Sequence, residues 1–338
     1  MAYITLNKKH FFNNLDIIAQ QSKGKDKIAL VLKDNAYGHG LLEIATMAKE
    51  YGITKAVVRS CDEAAMIEDL FEYILVLAQK PQSYSEKIRY TINDLEAISS
   101  FKEGTKVELK VNTGMNRNGI EIEELQKAFM LIDKYKLLLE AIFTHHSCAD
   151  EDSCIFEEQN LRFMKVKEQV QSLQQEFSIK NLRFHSCNSA ALFATEDFTE
   201  DMARVGIAAY GCLELPNNTA VEKLLPVLSL YAQKLSTRKI KVGEAVGYGA
   251  TYRADKSFLI GNYDFGYGDG FLRSCSNGYK TAEGVELLGR ISMDNSSFKS
   301  SSDELLIFND AREVAKSAGT ISYEVLTALK PHLQRVVV

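Results

Sequence analysis

The chain has 338 residues, 46% hydrophobic and 25% charged, proportions ordinary for a globular protein and a length that suits one large domain or two. A net charge of −5 and a pI near 5.8 argue against nucleic acid or an anionic membrane as a main partner. No apolar run approaches the ~20 residues of a membrane span and the first residues lack a signal-peptide core, so a cytoplasmic protein is expected. The six cysteines show no C-x-x-C spacing and read as reduced thiols rather than a disulfide frame.

Residues 2–6 open the chain with a strand-like run. From 28 to 211, short apolar runs alternate with helical stretches. Candidate strands lie at 28–33, 56–60, 73–78, 89–93, 107–111, 141–145, 182–187 and 202–207, with helical periodicity clearest at 122–134 and 156–173. Continuous apolar strands alternating with helices imply parallel βαβ units, and eight is the count of a (β/α)8 barrel. A doubly wound open sheet is the competitor, but no G-x-G-x-x-G or Walker A loop is present. After about Pro216 the texture changes. Eleven of the 20 glycines lie at or beyond Gly243, and turn residues separate alternating runs at 228–235, 257–263 and 285–293. The expected organisation is α/β: an N-terminal (β/α)8 barrel over 8–220 and a C-terminal all-β domain over 221–338, joined by the opening strand 1–7.

A barrel of this kind builds its active site from the loops at the C-terminal ends of its strands. Lys33 ends the first strand and precedes a glycine-punctuated turn, and an amine so placed is a nucleophile toward carbonyls. Lys110 lies in the fifth strand, with Arg117 in the loop after it. His145 and His146 end the sixth, Ser189 follows the seventh, and Arg204, Gly206 and Ile207 belong to the eighth. Ser189 with the Gly206 and Ile207 amides could supply neutral donors to a phosphate. Other readings stay open residue by residue. Lys110 and Arg117 also suit solvated rim charges, His185 a satisfied core histidine, and Asn188-Ser189 a helix cap for 190–194. Arg204 in an apolar strand is harder to dismiss, because a buried guanidinium needs a partner. His145, His146, Cys148, Asp150 and Cys154 lack zinc-ligand spacing, and no metal is expected.

The run Leu32-Lys33-Asp34-Asn35-Ala36-Tyr37-Gly38-His39-Gly40 resembles the cofactor-lysine signature of the alanine racemases, pyridoxal-phosphate enzymes of fold-type III. Segments 110–117, 204–211, 246–252 and 289–294 match the same family in order, and the resemblance spans Tyr3 to Tyr323. It implies that Lys33 carries the cofactor and that Tyr37, Ser189, Gly206, Ile207 and Tyr323 surround its phosphate. It also implies that His145 packs against the ring, that Arg204 faces the pyridine nitrogen, and that Arg117 bonds the phenolic oxygen and the substrate carboxylate. Tyr248 would be the second base and the Met293 amide a carboxylate donor, both reaching in from the partner subunit of a head-to-tail homodimer. Lys110 matches a lysine that some members carbamylate. Departures are mild: Gly268 replaces a frequent alanine, Gly247 a serine and Ser292 a cysteine.

The implied activity is interconversion of L- and D-alanine by a two-base mechanism using Lys33 and Tyr248, supplying D-alanine for peptidoglycan. A broader amino-acid racemase of the same fold shares every motif. A non-catalytic protein that handles pyridoxal phosphate would resemble the barrel alone.

Overall fold

The computed structural model describes residues 1–81, 85–215 and 218–338. Pro216, near which the sequence texture changes, lies outside them. Strand β1 (Tyr3–Leu6) precedes eight short parallel strands: β2 (Ile28–Val31), β3 (Lys55–Val58), β4 (Tyr73–Val76), β5 (Ile88–Ile92), β6 (Lys106–Lys110), β7 (Leu138–Phe143), β8 (Arg183–His185) and β9 (Ala203–Val205). They pair in the order β8-β7-β6-β5-β4-β3-β2-β9. The ring is nearly closed, because the Arg204 amide donates to the Cys187 carbonyl at 2.9 Å and the Asp201 amide to the Phe184 carbonyl at 3.2 Å. All eight expected strands are present, each ending one or two residues earlier than expected. The chain leaves the ladder where the functional loops begin, so Gly206, Ile207, His145 and Lys33 lie just past strands rather than in them.

The helical layer is less regular than the strand count suggests. Helices Leu41–Tyr51, Cys61–Ile67, Leu125–Lys134, Ile155–Glu176 and Ser189–Ala194 follow β2, β3, β6, β7 and β8. Between β4 and β5 no helix occurs among the described residues, and after β5 only the short 3-10 turn Glu96–Ser100 forms. Asn188 caps its helix as expected, accepting from the Ala191 amide at 2.9 Å.

β10 (Leu228–Ile240) organises the second sheet. Along its 13 residues it pairs with β1, then β15 (Glu304–Phe308), then β13 (Phe258–Tyr263), the last also bound to β14 (Ser296–Phe298). β1 lies between β10 and β16 (Gln334–Val337), so both ends of the chain enter this sheet. The run 285–293 is not a strand. It makes only the bridges Lys280↔Glu286 and Leu287↔Phe298, because Gly289, at φ +75°, turns the chain out of the ladder. Two helices absent from the sequence reading, Ala311–Ala318 and Ser322–Ala328, complete this part of the chain. The second packs over the mouth of the barrel.

Candidate active site

A cavity of about 450 Å³ opens at the C-terminal ends of the barrel strands. Its wall shows the two-residue period of strands whose alternate side chains face inward: Val31 and Lys33, Val57 and Arg59, Thr91 and Asn93, Phe143 and His145. Nine expected residues line it together: Lys33, Tyr37, Arg117, His145, Ser189, Arg204, Gly206, Ile207 and Tyr323. Lys110 is there too. Tyr248 and Met293 are not. They lie on the second sheet's side, 70% and 56% exposed, in segments flanked by Gly247 and Asp294.

The lysine loop has an unusual backbone. Asp34, Asn35, Ala36 and Tyr37 all have φ between 51° and 56°, and Gly38 has φ +75°, so the chain makes a left-handed turn directly after Lys33. Each non-glycine residue there costs roughly 1–2 kcal/mol, and hydrogen bonds offset it. The Asp34 amide donates to Glu63 at 2.6 Å, the Leu41 amide to Asn35 Oδ1 at 2.9 Å, and Arg335 Nη2 to the Gly38 carbonyl at 2.9 Å. Gly38 is required twice over, because a Cβ there would stand 2.0 Å from the Leu326 carbonyl of the covering helix. That close approach brings Tyr323 to 5.8 Å from Tyr37, ring to ring. Lys33 Nζ lies 5.9 Å from the Tyr37 ring centroid.

Five cations, Lys33, Arg59, Lys110, Arg117 and Arg204, line the cavity, while its one lining carboxylate, Asp34, is ion-paired with Arg59 at 3.2 Å. Such a concentration of like charge suits an anionic ligand. Burial, then the charges of Arg204, Arg117 and Lys33, pull the Lys110 amine down to about 8. Burial, then the charges of Arg204, Lys110 and Arg117, hold the His145 imidazole far below its usual range, and burial raises the Tyr37 and Tyr323 phenols. Where β8 and β9 end, the Gly206 and Ala208 amides donate to Ser189 Oγ at 3.0 and 3.3 Å. A Cβ on Gly206 would come within 2.9 Å of the Tyr37 hydroxyl.

Arg204 is 5% exposed and held by acceptors on one side. Its Nη2 donates to the Thr144 carbonyl at 2.7 Å and the Ser186 carbonyl at 3.0 Å, and its Nη1 meets His185 Nδ1 at 2.5 Å. His185 is therefore more than core filling. Its other nitrogen lies 2.9 Å from Glu108, a carboxylate with 0% exposure that the sequence reading passed over. Two inward residues of β6 two positions apart, Glu108 and Lys110, were the available signal.

The fold and this cavity define a class: a (β/α)8-barrel enzyme with a lysine-centred, cation-lined site, closed from above by a helix of a second sheet domain. Comparison with known proteins agrees. The alanine racemase N-terminal domain matches residues 6–214 and its C-terminal domain residues 227–337. An alanine racemase of Nitratiruptor sp. is 43% identical over 335 residues, 99% of each chain, and one of Campylobacter jejuni is 38% identical over 340 residues, all of both. The solved alanine racemase of Clostridium difficile superposes with a TM-score of 0.89 at 26% identity, over 100% of this chain and 95% of that one. That of Bacillus anthracis, determined with bound L-Ala-P, gives 0.84 at 28%, over 100% and 95%. The chain belongs to the alanine racemase family, whose members depend on pyridoxal phosphate.

Proposed function

We propose that this protein interconverts L- and D-alanine with pyridoxal phosphate as cofactor, as a homodimer whose two sites are each built from both subunits. The observation that carries the reading is the amine of Lys33 set in a cation-lined cavity with Arg204 and the phenols of Tyr37 and Tyr323. The donor set fits the cofactor. Tyr37, Ser189, Tyr323 and the Gly206 and Ile207 amides would hold its phosphate, His145 would pack on the ring, Arg204 would face the ring nitrogen, and Arg117 would meet the phenolic oxygen. When bound, the cofactor supplies a carbonyl that condenses with amines and a conjugated ring that takes up the charge left at Cα.

Racemisation needs a proton removed from one face of Cα and returned to the other. Lys33, the lysine of the cofactor-lysine signature, would work as acid and base on one face. The opposite face would fall to Tyr248 of the partner subunit, whose phenol stands exposed here. Arg117, with the Met293 amide of the partner subunit, would hold the substrate carboxylate. Arg204 would keep its charge against the ring nitrogen and so disfavour protonation there, which would limit how long the Cα charge persists and suppress competing chemistry. No helix among the described residues is long and apolar enough to cross a membrane, and the cysteines are free thiols. The reading carries with it a cytoplasmic location and a supply of D-alanine for peptidoglycan.

The test uses both bases. Lys33→Ala should abolish D-alanine formation from L-alanine, and Tyr248→Phe should lose activity in both directions. Co-expressing the two variants separates a shared site from an independent one. A mixed dimer would own one intact site, giving roughly a quarter of wild-type activity under random pairing. No recovery would mean that each chain supplies its own tyrosine.

A further inference from the structure

We propose that Glu108, sealed in the middle of the barrel, positions Arg204 for the reaction by fixing which nitrogen of His185 carries the proton. The inference rests on the proposed function only in its last step, where Arg204 meets the cofactor ring. Barrel interiors are normally filled by branched apolar side chains, and a carboxylate there is costly unless its lone pairs are all engaged. Glu108 is engaged on both edges. Its Oε1 accepts from the Tyr73 phenol at 2.6 Å and from Arg183 Nη2 at 2.9 Å, and its Oε2 lies 2.9 Å from His185 Nε2. Arg183 is in turn bound to Glu140 at 3.2 Å, and Glu140 to Arg89 at 2.8 Å. An ion-pair chain therefore runs from the lower part of the barrel up to the site.

The proton's place follows from donor and acceptor rules alone. A guanidinium can only donate, so His185 Nδ1, facing Arg204 Nη1 at 2.5 Å, must be the accepting nitrogen. The single proton of the neutral imidazole then sits on Nε2 and donates to Glu108. Burial holds the imidazole neutral, and although burial also pushes the Glu108 carboxyl up, His185, Arg183 and Tyr73 together keep it down at about 2. Glu108 must remain accept-only on both edges for this to hold. Its amide isostere cannot comply. A glutamine that turns its oxygen to Tyr73 and Arg183 presents N–H to His185, which moves the imidazole proton to Nδ1 and sets it against Arg204. Turned the other way, it sets N–H against Arg183. The first arrangement removes the His185 acceptor, at 2.5 Å the shortest contact that aims the Arg204 guanidinium; the second keeps it only by setting an N–H against the Arg183 guanidinium, which can itself only donate.

Long-range ¹H–¹⁵N correlation on protein labelled with ¹⁵N-histidine reads the tautomer directly, with and without added pyridoxal phosphate, His185 being assigned by its loss in His185→Gln. The wild type should show the Nε2–H form alone. Protonation on Nδ1, or on both nitrogens, would overturn the proposal. In Glu108→Gln the His185 signals should shift toward the other tautomer. The kcat in both directions should fall roughly tenfold to a hundredfold, the scale of one buried charge-assisted hydrogen bond, with KM for alanine little changed. Tyr73→Phe disturbs the same carboxylate from its far side and should leave both tautomer and kcat near wild type. A Glu108→Gln enzyme with the wild-type tautomer and kcat would refute the positioning role. Because the tautomer is read without the cofactor, a protein that bound no pyridoxal phosphate would defeat the proposed function and leave this measurement standing.

Discussion

Replacing His146 with phenylalanine should stabilise the protein and remove part of its sensitivity to acid. His146 is 2% exposed, packs edge-on against Phe156 at 4.9 Å, and neither ring nitrogen finds a hydrogen-bonding partner among the described residues. Burial pushes its pKa from 6.5 down to about 4, with the Glu200 carboxylate opposing the shift and Arg204 adding to it. The folded protein therefore keeps this imidazole neutral where the unfolded chain takes up a proton. Between those two values the unfolded state binds the extra proton, so stability rises with pH there and is lost as pH falls. The whole shift is worth about 3 kcal/mol, of which about 2 kcal/mol is already lost at pH 5 relative to pH 7. At pH 7 the two unpaired ring nitrogens cost a further ~1–3 kcal/mol. His146→Phe removes both penalties while keeping a ring against Phe156. Chemical denaturation at one protein concentration should show the variant more stable by ~1–3 kcal/mol at pH 7, with the gap wider by about 2 kcal/mol at pH 5. An equal gap at both pH values would refute the burial argument, as would His146 titrating near 6.5 in the folded protein.

Other changes test the lysine loop and its surroundings. Asn35→Ala loses the bond to the Leu41 amide and places a less tolerant residue in the left-handed turn, so it should cost about 2 kcal/mol in thermal or denaturant unfolding. Asn35→Gly loses only the bond and should cost about half that; equal losses would argue against backbone strain. Gly38→Ala should push the Ser322–Ala328 helix away from the barrel mouth, raising the dissociation constant for pyridoxal phosphate more than it lowers Tm. Lys110, drawn down to about 8, is roughly a quarter neutral at pH 7.5, which is the form that adds carbon dioxide. ¹³C-bicarbonate should therefore give a carbamate resonance that Lys110→Arg abolishes.

Much of the fold was legible because buried parallel strands leave continuous apolar runs. Ile28 to Val31 and Tyr73 to Val76 are wholly buried and needed no partner to be recognised. The helices at 311–328 carried ordinary signals, Asp310 as cap and Gly319 as stop, but the glycine-rich stretch before them suggested strands throughout. The strand expected at 285–293 failed because alternation alone does not reveal a left-handed glycine in its middle. His185 was read as core for a similar reason: a histidine on an apolar strand shows nothing of what lies beyond its ring.

The sequence by itself determined the eight-strand barrel and the strand-end residues at its mouth, Lys33 among them, since strand period and strand ends are local properties. The tertiary structure decided three things. It set the left-handed turn that aims Lys33, the helix that carries Tyr323 over the cavity, and the buried line from Glu108 through His185 to Arg204. Each depends on groups from distant parts of the chain meeting within hydrogen-bond or van der Waals reach, as Gly38 meets Leu326 and Glu108 meets His185. Donor and acceptor roles fixed by such contacts belong to no single segment.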